Sequence, residues 1–184
     1  DGIEQLQHGD QVSTVIVSDH GMGLVDHDFV TDLRTIANVE NTRVIVTGTG
    51  ANLFVEGDMG RARQLRDDIN DDLRGGRAYL RNEVPDTLHY KNDPRIGDVV
   101  VVARAGALVG LRGNSSVTGT HGWAPNGPEM NGILLARGPE IVQGARNGPI
   151  ESIHVYPLLA RLLHLTPALG IDGDPSVLEA WVTG

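Results

Sequence analysis

The chain has 184 residues, 40% of them hydrophobic, with 24 glycines, 9 prolines, no cysteine and a formal net charge of −9 at pH 7. That length fits one ordinary domain with a sizeable core, and the composition is that of a turn-rich globular protein rather than a disordered one. The acidic balance argues against a nucleic-acid scaffold, no stretch reaches the roughly 20 apolar residues of a membrane-spanning helix, and without thiols any metal must be held by Asp, Glu and His.

Residues 13–18 read as a buried strand and residues 29–37 as a short helix. Residues 43–46 and 52–55 read as strands split by the turn Gly48-Thr49-Gly50. Leu65, Ile69 and Leu73 recur at fourfold spacing among charged residues, which predicts an amphipathic helix over 59–73, stopped by Gly75-Gly76. Residues 98–103 are strongly β, and 107–111 is the expected hairpin partner across 104–106. The polar stretch 113–129 is long enough for a loop that is functional or mobile. A strand returns at 132–136 and ends at Gly138-Pro139. Residues 150–165 predict a packed helix with Ile153, Leu158, Leu159, Leu162 and Leu163 on one face, and a last short helix covers 175–182. With no repeat or linker visible, the reading is one α/β unit.

The pair Asp19-His20 stands out because it follows the apolar run Val15-Ile16-Val17 and precedes Gly21. At the carboxyl end of a parallel strand, such side chains point into the crevice where α/β proteins bind ligands. A carboxylate beside an imidazole suits zinc or a similar divalent ion. The competing reading is an Asp that caps the next helix and a His that merely packs. His121, set in Gly119-Thr120-His121-Gly122-Trp123, is a second imidazole on a loop leading into a strand, where an ordinary exposed loop histidine is the alternative.

Other clusters imitate sites without the required spacing. Asp26-His27-Asp28 precedes a helical run and reads as capping. Thr47-Gly48-Thr49-Gly50 begins like a dinucleotide loop, but position 53 is Leu53 where a third glycine is needed. Asp172-Gly173-Asp174 lacks calcium-loop spacing, and the pairs Asp67-Asp68 and Asp71-Asp72 read as a solvated helix face.

Four segments in order resemble the type I phosphodiesterase/nucleotide pyrophosphatase family of the alkaline phosphatase superfamily. They are Ser18-Asp19-His20-Gly21-Met22; Leu88-His89-Tyr90 through Arg95-Ile96-Gly97-Asp98; Gly119-Thr120-His121-Gly122-Trp123 through Met130 to Ala136-Arg137-Gly138-Pro139; and Ile153 through Tyr156-Pro157-Leu158 to Leu163-His164-Leu165-Thr166-Pro167-Ala168. The resemblance implies an alkaline-phosphatase-like α/β fold, a mixed or largely parallel sheet flanked by helices, present only in part. It implies a two-zinc hydrolase in which a Thr or Ser attacks phosphorus and ions about 4 Å apart stabilise the attacking and leaving oxygens. Carried over, Asp19 and His20 are ligands of one ion and His121 of the other, with other divalent metals also accepted.

The family's early Asp, its nucleophile and a further Asp and His precede the Ser-Asp-His-Gly segment, and the 17 residues before Ser18 show none of them. The expectation is therefore that residues 1–184 are the C-terminal portion of one catalytic domain, with the nucleophile upstream of Asp1, a bare apolar sheet face or edge, and no activity alone. The opening Asp1-Gly2 reads as the trace of a removed leader or of a start within a longer protein. The implied partners are a small phosphate-ester substrate and the missing N-terminal part of the domain, and family habit favours a periplasmic or extracellular location. The alternatives are another hydrolase of the superfamily, acting on phosphonates or phosphomonoesters, and a non-catalytic binding protein that kept the fold.

Overall fold

The computed structural model describes residues 2–112 and 116–183, so residues 113–115 of the long polar loop lie outside the described residues. In chain order the elements are β1 (Thr14–Val17), β2 (Gly23–Leu24), β3 (Val30–Asp32), α1 (Leu33–Ile36), β4 (Thr42–Val46), β5 (Gly50–Val55), α2 (Met59–Asp72), β6 (Gly76–Leu80), β7 (Val99–Ala103), β8 (Leu108–Gly110), β9 (Gly119–Thr120), β10 (Leu134–Arg137) and α3 (Val155–Leu162). The single α/β unit read from the sequence resolves into two compact units, one of residues 20–131 and one of residues 1–19 with 132–184.

Residues 20–131 are built on a four-stranded antiparallel sheet of order β4-β5-β7-β6. Both faces of β7 are covered, which is why it reads as an unbroken run of valines. Val99 and Val101 pack with Leu53 and with Leu65 and Ile69 of α2, while Val100 packs with Val84 and Ile96. α2 begins where the Asp58 carboxylate accepts the Gly60 and Arg61 N–H groups at 2.9 and 3.1 Å. Its inward stripe is the Leu65–Ile69 spacing that the sequence displays. Asn70 clamps the helix to β6, its amide donating to the Ala78 carbonyl at 2.9 Å and accepting the Ala78 N–H at 2.8 Å.

Two expectations fail in this unit. Residues 107–111 do not form a hairpin with β7, because β5 and β6 already occupy both edges of that strand; β8 instead pairs in parallel with β3. That pairing also explains why 29–37 is not a helix. Val30 and Thr31 are taken into β3, and only the single turn of α1 follows, its start capped by the Asp32 carboxylate on Arg34 N–H at 3.0 Å. β6 carries no clear signal in the sequence, since its Gly-Gly start looks like a helix stop; its buried residues are Ala78 and Leu80.

The unit of residues 1–19 and 132–184 holds the antiparallel ribbon β1–β10, with Thr14 opposite Arg137 and Val17 opposite Leu134. Among the described residues β10 is the one strand paired with β1, so β1 is not part of a parallel ladder. Nor is β1 deeply buried: Ile16 and Val17 are about half exposed, as are Leu135 and Ile133. On the other side Leu134 packs into a small cluster with Leu158, Leu178 and Val182. The expected helix over 150–165 shortens to a 3₁₀ turn, Ser152–His154, followed by α3. Its apolar residues divide between two faces: Leu158 is buried and Leu162 half-buried, whereas Tyr156, Leu159 and Leu163 are exposed. The expected helix over 175–182 reduces to the 3₁₀ turn Glu179–Trp181. Among the described residues no helix is long and apolar enough to cross a membrane.

Candidate metal centre

β1 stops at Ser18, which closes the ribbon in two ways. Its N–H donates to the Ile133 carbonyl at 3.1 Å and its hydroxyl accepts the Ile133 N–H at 2.8 Å. This approach leaves no room for a side chain at Gly132, where a Cβ would sit 2.6 Å from Ser18 Oγ. Asp19, exposed, is the last residue of this unit, and His20, half-buried, is the first of the other.

Two short elements then bring His20 and His121 together. β2 and β9 pair antiparallel, Gly23 opposite Thr120 and Leu24 opposite Gly119, so the residues just before β2 and just after β9 lie at the same end of the ladder. Gly21 tightens the approach: its N–H donates to the Met130 carbonyl at 3.0 Å, and a Cβ there would lie 2.1 Å from the Glu129 carbonyl oxygen. Gly122, at φ +96°, turns the chain away from His121 in a conformation that disfavours side chains. Trp123 is then buried, its indole N–H donating to the Ala107 carbonyl at 2.7 Å.

The outcome is a face-to-face imidazole pair, with ring centroids 3.7 Å apart and planes within 10°. His20 Nδ1–H donates to the Gly21 carbonyl at 2.7 Å, which places the ring's lone pair on Nε2. A histidine binds a metal in its ring plane at about 2.0–2.1 Å. Two nearly parallel planes do not converge on one ion, so this pair cannot share one. The donor set therefore fits one ligand for each of two ions. Among the described residues no group of three or more His, Asp or Glu gathers as a complete metal site.

The other sequence candidates resolve as structural. Asp26 caps the turn His27–Phe29 through the Asp28 N–H at 3.1 Å, and Asp174 accepts from the Ser176 N–H and hydroxyl at 2.8 and 2.7 Å. The Arg95-Ile96-Gly97-Asp98 segment stitches strands together. Asp98 accepts from Arg81 at 2.8 Å and from the Val55 N–H at 3.0 Å, and the Asn52 side chain accepts the Gly97 N–H at 2.9 Å. The guanidinium of Arg95 holds the Asp93 carboxyl well below the usual carboxylate range, and the Arg34 side-chain hydrogen bond lowers that of Asp32. Among residues that sequence reasoning missed is Thr49, 3% exposed, whose hydroxyl donates to the Gly122 carbonyl at 2.9 Å. Its setting in a failed dinucleotide motif hid it, and no sequence pattern links positions 49 and 122.

The type I phosphodiesterase / nucleotide pyrophosphatase family model matches residues 1–124. Ectonucleotide pyrophosphatase/phosphodiesterase family member 7 of Rattus norvegicus is 29% identical over 187 residues, covering 97% of this chain and 42% of the relative. Bis(5'-adenosyl)-triphosphatase enpp4 of Xenopus laevis is 26% identical over 167 residues, covering 91% of this chain and 35% of the relative. Among solved structures, human ectonucleotide pyrophosphatase/phosphodiesterase 5 superposes with a TM-score of 0.86 at 22% identity, over 99% of this chain and 49% of that one, a likeness of fold. A variant of the murine protein, described as inactive and in complex with AMP, superposes at 0.84 with 26% identity, over 98% of this chain and 49% of its own. The chain thus spans less than half the length of these relatives.

Proposed function

Because the chain belongs to the type I phosphodiesterase/nucleotide pyrophosphatase family, we propose that it is part of a metal-dependent hydrolase of phosphodiester or nucleotide pyrophosphate bonds. Asp19 and His20 hold one divalent ion, zinc in the first instance, and His121 holds the other. The stacked pair of His20 and His121 supports this reading, because two adjacent parallel imidazoles suit separate ions rather than one shared ion. When bound, the ions supply positive charge to the attacking and leaving oxygens at phosphorus.

The roles of this chain's own residues follow from their contacts. The Gly21 carbonyl fixes the His20 tautomer, and Ser18, Gly21 and Gly132 hold the backbone on either side of Asp19-His20 in place. The nucleophilic Thr or Ser and the remaining ligands are contributed by the N-terminal part of the catalytic domain, of which residues 1–184 are the C-terminal portion, and this portion alone is inactive. That complementary part also covers the apolar face of Ile16, Ile133 and Leu135. The substrate is a small phosphate ester; the AMP complex of the murine relative supports a nucleotide. The net charge of −9 speaks against a nucleic-acid scaffold. The names of the relatives, as ecto-enzymes, support a location outside the cytoplasm.

The test joins calorimetric Zn²⁺ titration to hydrolysis of bis(p-nitrophenyl) phosphate. Zinc binding is expected to weaken in both Asp19→Asn and His121→Ala, with no turnover above the Asp19→Asn background. Binding indifferent to both substitutions removes the metal assignment. Turnover abolished by Asp19→Asn means that the nucleophile lies within residues 1–184.

A further inference from the structure

The turn Thr47-Gly48-Thr49-Gly50 joins β4 to β5 and is tied into the core at several points. The Thr47 N–H donates to the Gly50 carbonyl at 2.9 Å, the Ala103 N–H donates to the Thr49 carbonyl at 3.0 Å, and the Val109 N–H donates to the Gly48 carbonyl at 2.8 Å. Two strands beside the hairpin, β7 and β8, therefore hold this turn rigid. From it projects Thr49, the one polar residue fully buried among the described residues. A buried hydroxyl needs a partner, and its partner is the Gly122 carbonyl, at 2.9 Å and on the residue next to His121.

The fit at that point is close. Gly122 sits at φ +96°, and a Cβ on it would come within 2.8 Å of the same Thr49 oxygen. One residue further, Trp123 is anchored on Ala107, and on the other side Thr120 is anchored on Gly23. His121 thus lies between two fixed strand residues and two core contacts. Of these, the Thr49 bond holds the backbone of the residue that follows His121.

We propose that Thr49 is a positioning residue: through the Gly122 carbonyl it sets the orientation of His121 against His20. The inference rests on the two-ion reading for its functional meaning and on the metal-free stack for its test. A threonine that only satisfied a turn would affect stability without changing the relation of the two rings.

The experiment is NMR of the histidine side chains in the metal-free protein, comparing wild type, Thr49→Val and Thr49→Ser at one fixed pH. Stacked rings shift each other's protons upfield. Thr49→Val, which keeps the volume and removes the hydroxyl, is expected to abolish most of that shift for His20 and His121; Thr49→Ser is expected to restore it. Full shifts in Thr49→Val overturn the proposal. Equal loss in Val and Ser also overturns it, since packing of the methyl would then be responsible. Should Thr49→Val fail to fold, Gly122→Ala presses on the same hydroxyl from the other side, and an unchanged stack there is equally fatal. A parallel Co²⁺ titration should weaken by about 10–100-fold in Thr49→Val, as for other partners of metal ligands. If wild type binds no cobalt, residues 1–184 hold too few of the ligands to bind it alone, while the ring shifts still decide the role of Thr49.

Discussion

Residues 20–131 and the unit of residues 1–19 with 132–184 handle their apolar side chains in opposite ways. The first closes a core in which Leu33, Leu53, Ile69 and Val99 are wholly excluded from solvent, beneath a helix and on a four-stranded sheet. The second buries little more than Leu158, Leu178 and Val182, and leaves Ile16, Leu135, Leu163, Leu165 and Leu169 exposed. Its helix α3 is apolar on two faces, a pattern that belongs to a helix packed on both sides. The difference teaches that one fold can hold a self-sufficient part beside a part whose apolar surface calls for another cover. The imidazole pair is built on the self-sufficient part, where its geometry is set by a complete core.

The largest expected effects test that contrast directly. Ile69→Ala should cost about 2–5 kcal/mol in urea unfolding followed by circular dichroism. Leu135→Thr, similar in apolar loss but about half exposed, should change stability by no more than about 0.5 kcal/mol while lowering self-association in light scattering. Equal costs at the two positions would erase the distinction between the units. Trp123→Phe is expected to be intermediate, at about 1–3 kcal/mol, because it strands the Ala107 carbonyl in a buried position; a value near zero would mean that the His121 loop is not anchored there.

The smallest effect belongs to exposed ion pairs. Asp93 and Asp32 have their carboxyls lowered by side-chain hydrogen bonds to Arg95 and Arg34. A lowered folded-state value contributes stability that is present above the unfolded carboxylate range, near about pH 4, and is lost as pH falls through the folded value. The Arg95–Asp93 pair is exposed, so Asp93→Asn should leave the unfolding midpoint at pH 7 almost unmoved and flatten the acid limb only slightly. A large shift at neutral pH would show that the Asp93-Pro94-Arg95 turn braces β7 after all.

Much of this was legible in the residues. The spacing of Leu65 and Ile69 marks α2, the valine run marks β7, and Asp19-His20 with His121 could be singled out before any geometry was known. Pairing partners were not legible, because local pattern says that 107–111 is β but not that both edges of β7 are already taken. The same holds for the site. Met22-Gly23-Leu24 carries no strand signal, yet the two-residue ladder it forms with Gly119-Thr120 is what brings the imidazoles to 3.7 Å. Thr49 reaches Gly122 through a contact that is remote in sequence, and such contacts leave no local periodicity to read.

The ribbon β1–β10 has a consequence for the timing of synthesis. Val17 must wait for Leu134, and all of residues 20–131 lie between them. Those residues can close their own core meanwhile, with their ends held together by the Gly21 to Met130 hydrogen bond. At about 5–20 residues per second on the ribosome, β1 therefore waits several seconds or more for β10. During that interval Val15, Ile16 and Val17 lack the partner strand that β10 supplies, so the ribbon's long-range closure makes β1 a hazard while residues 20–131 are being made.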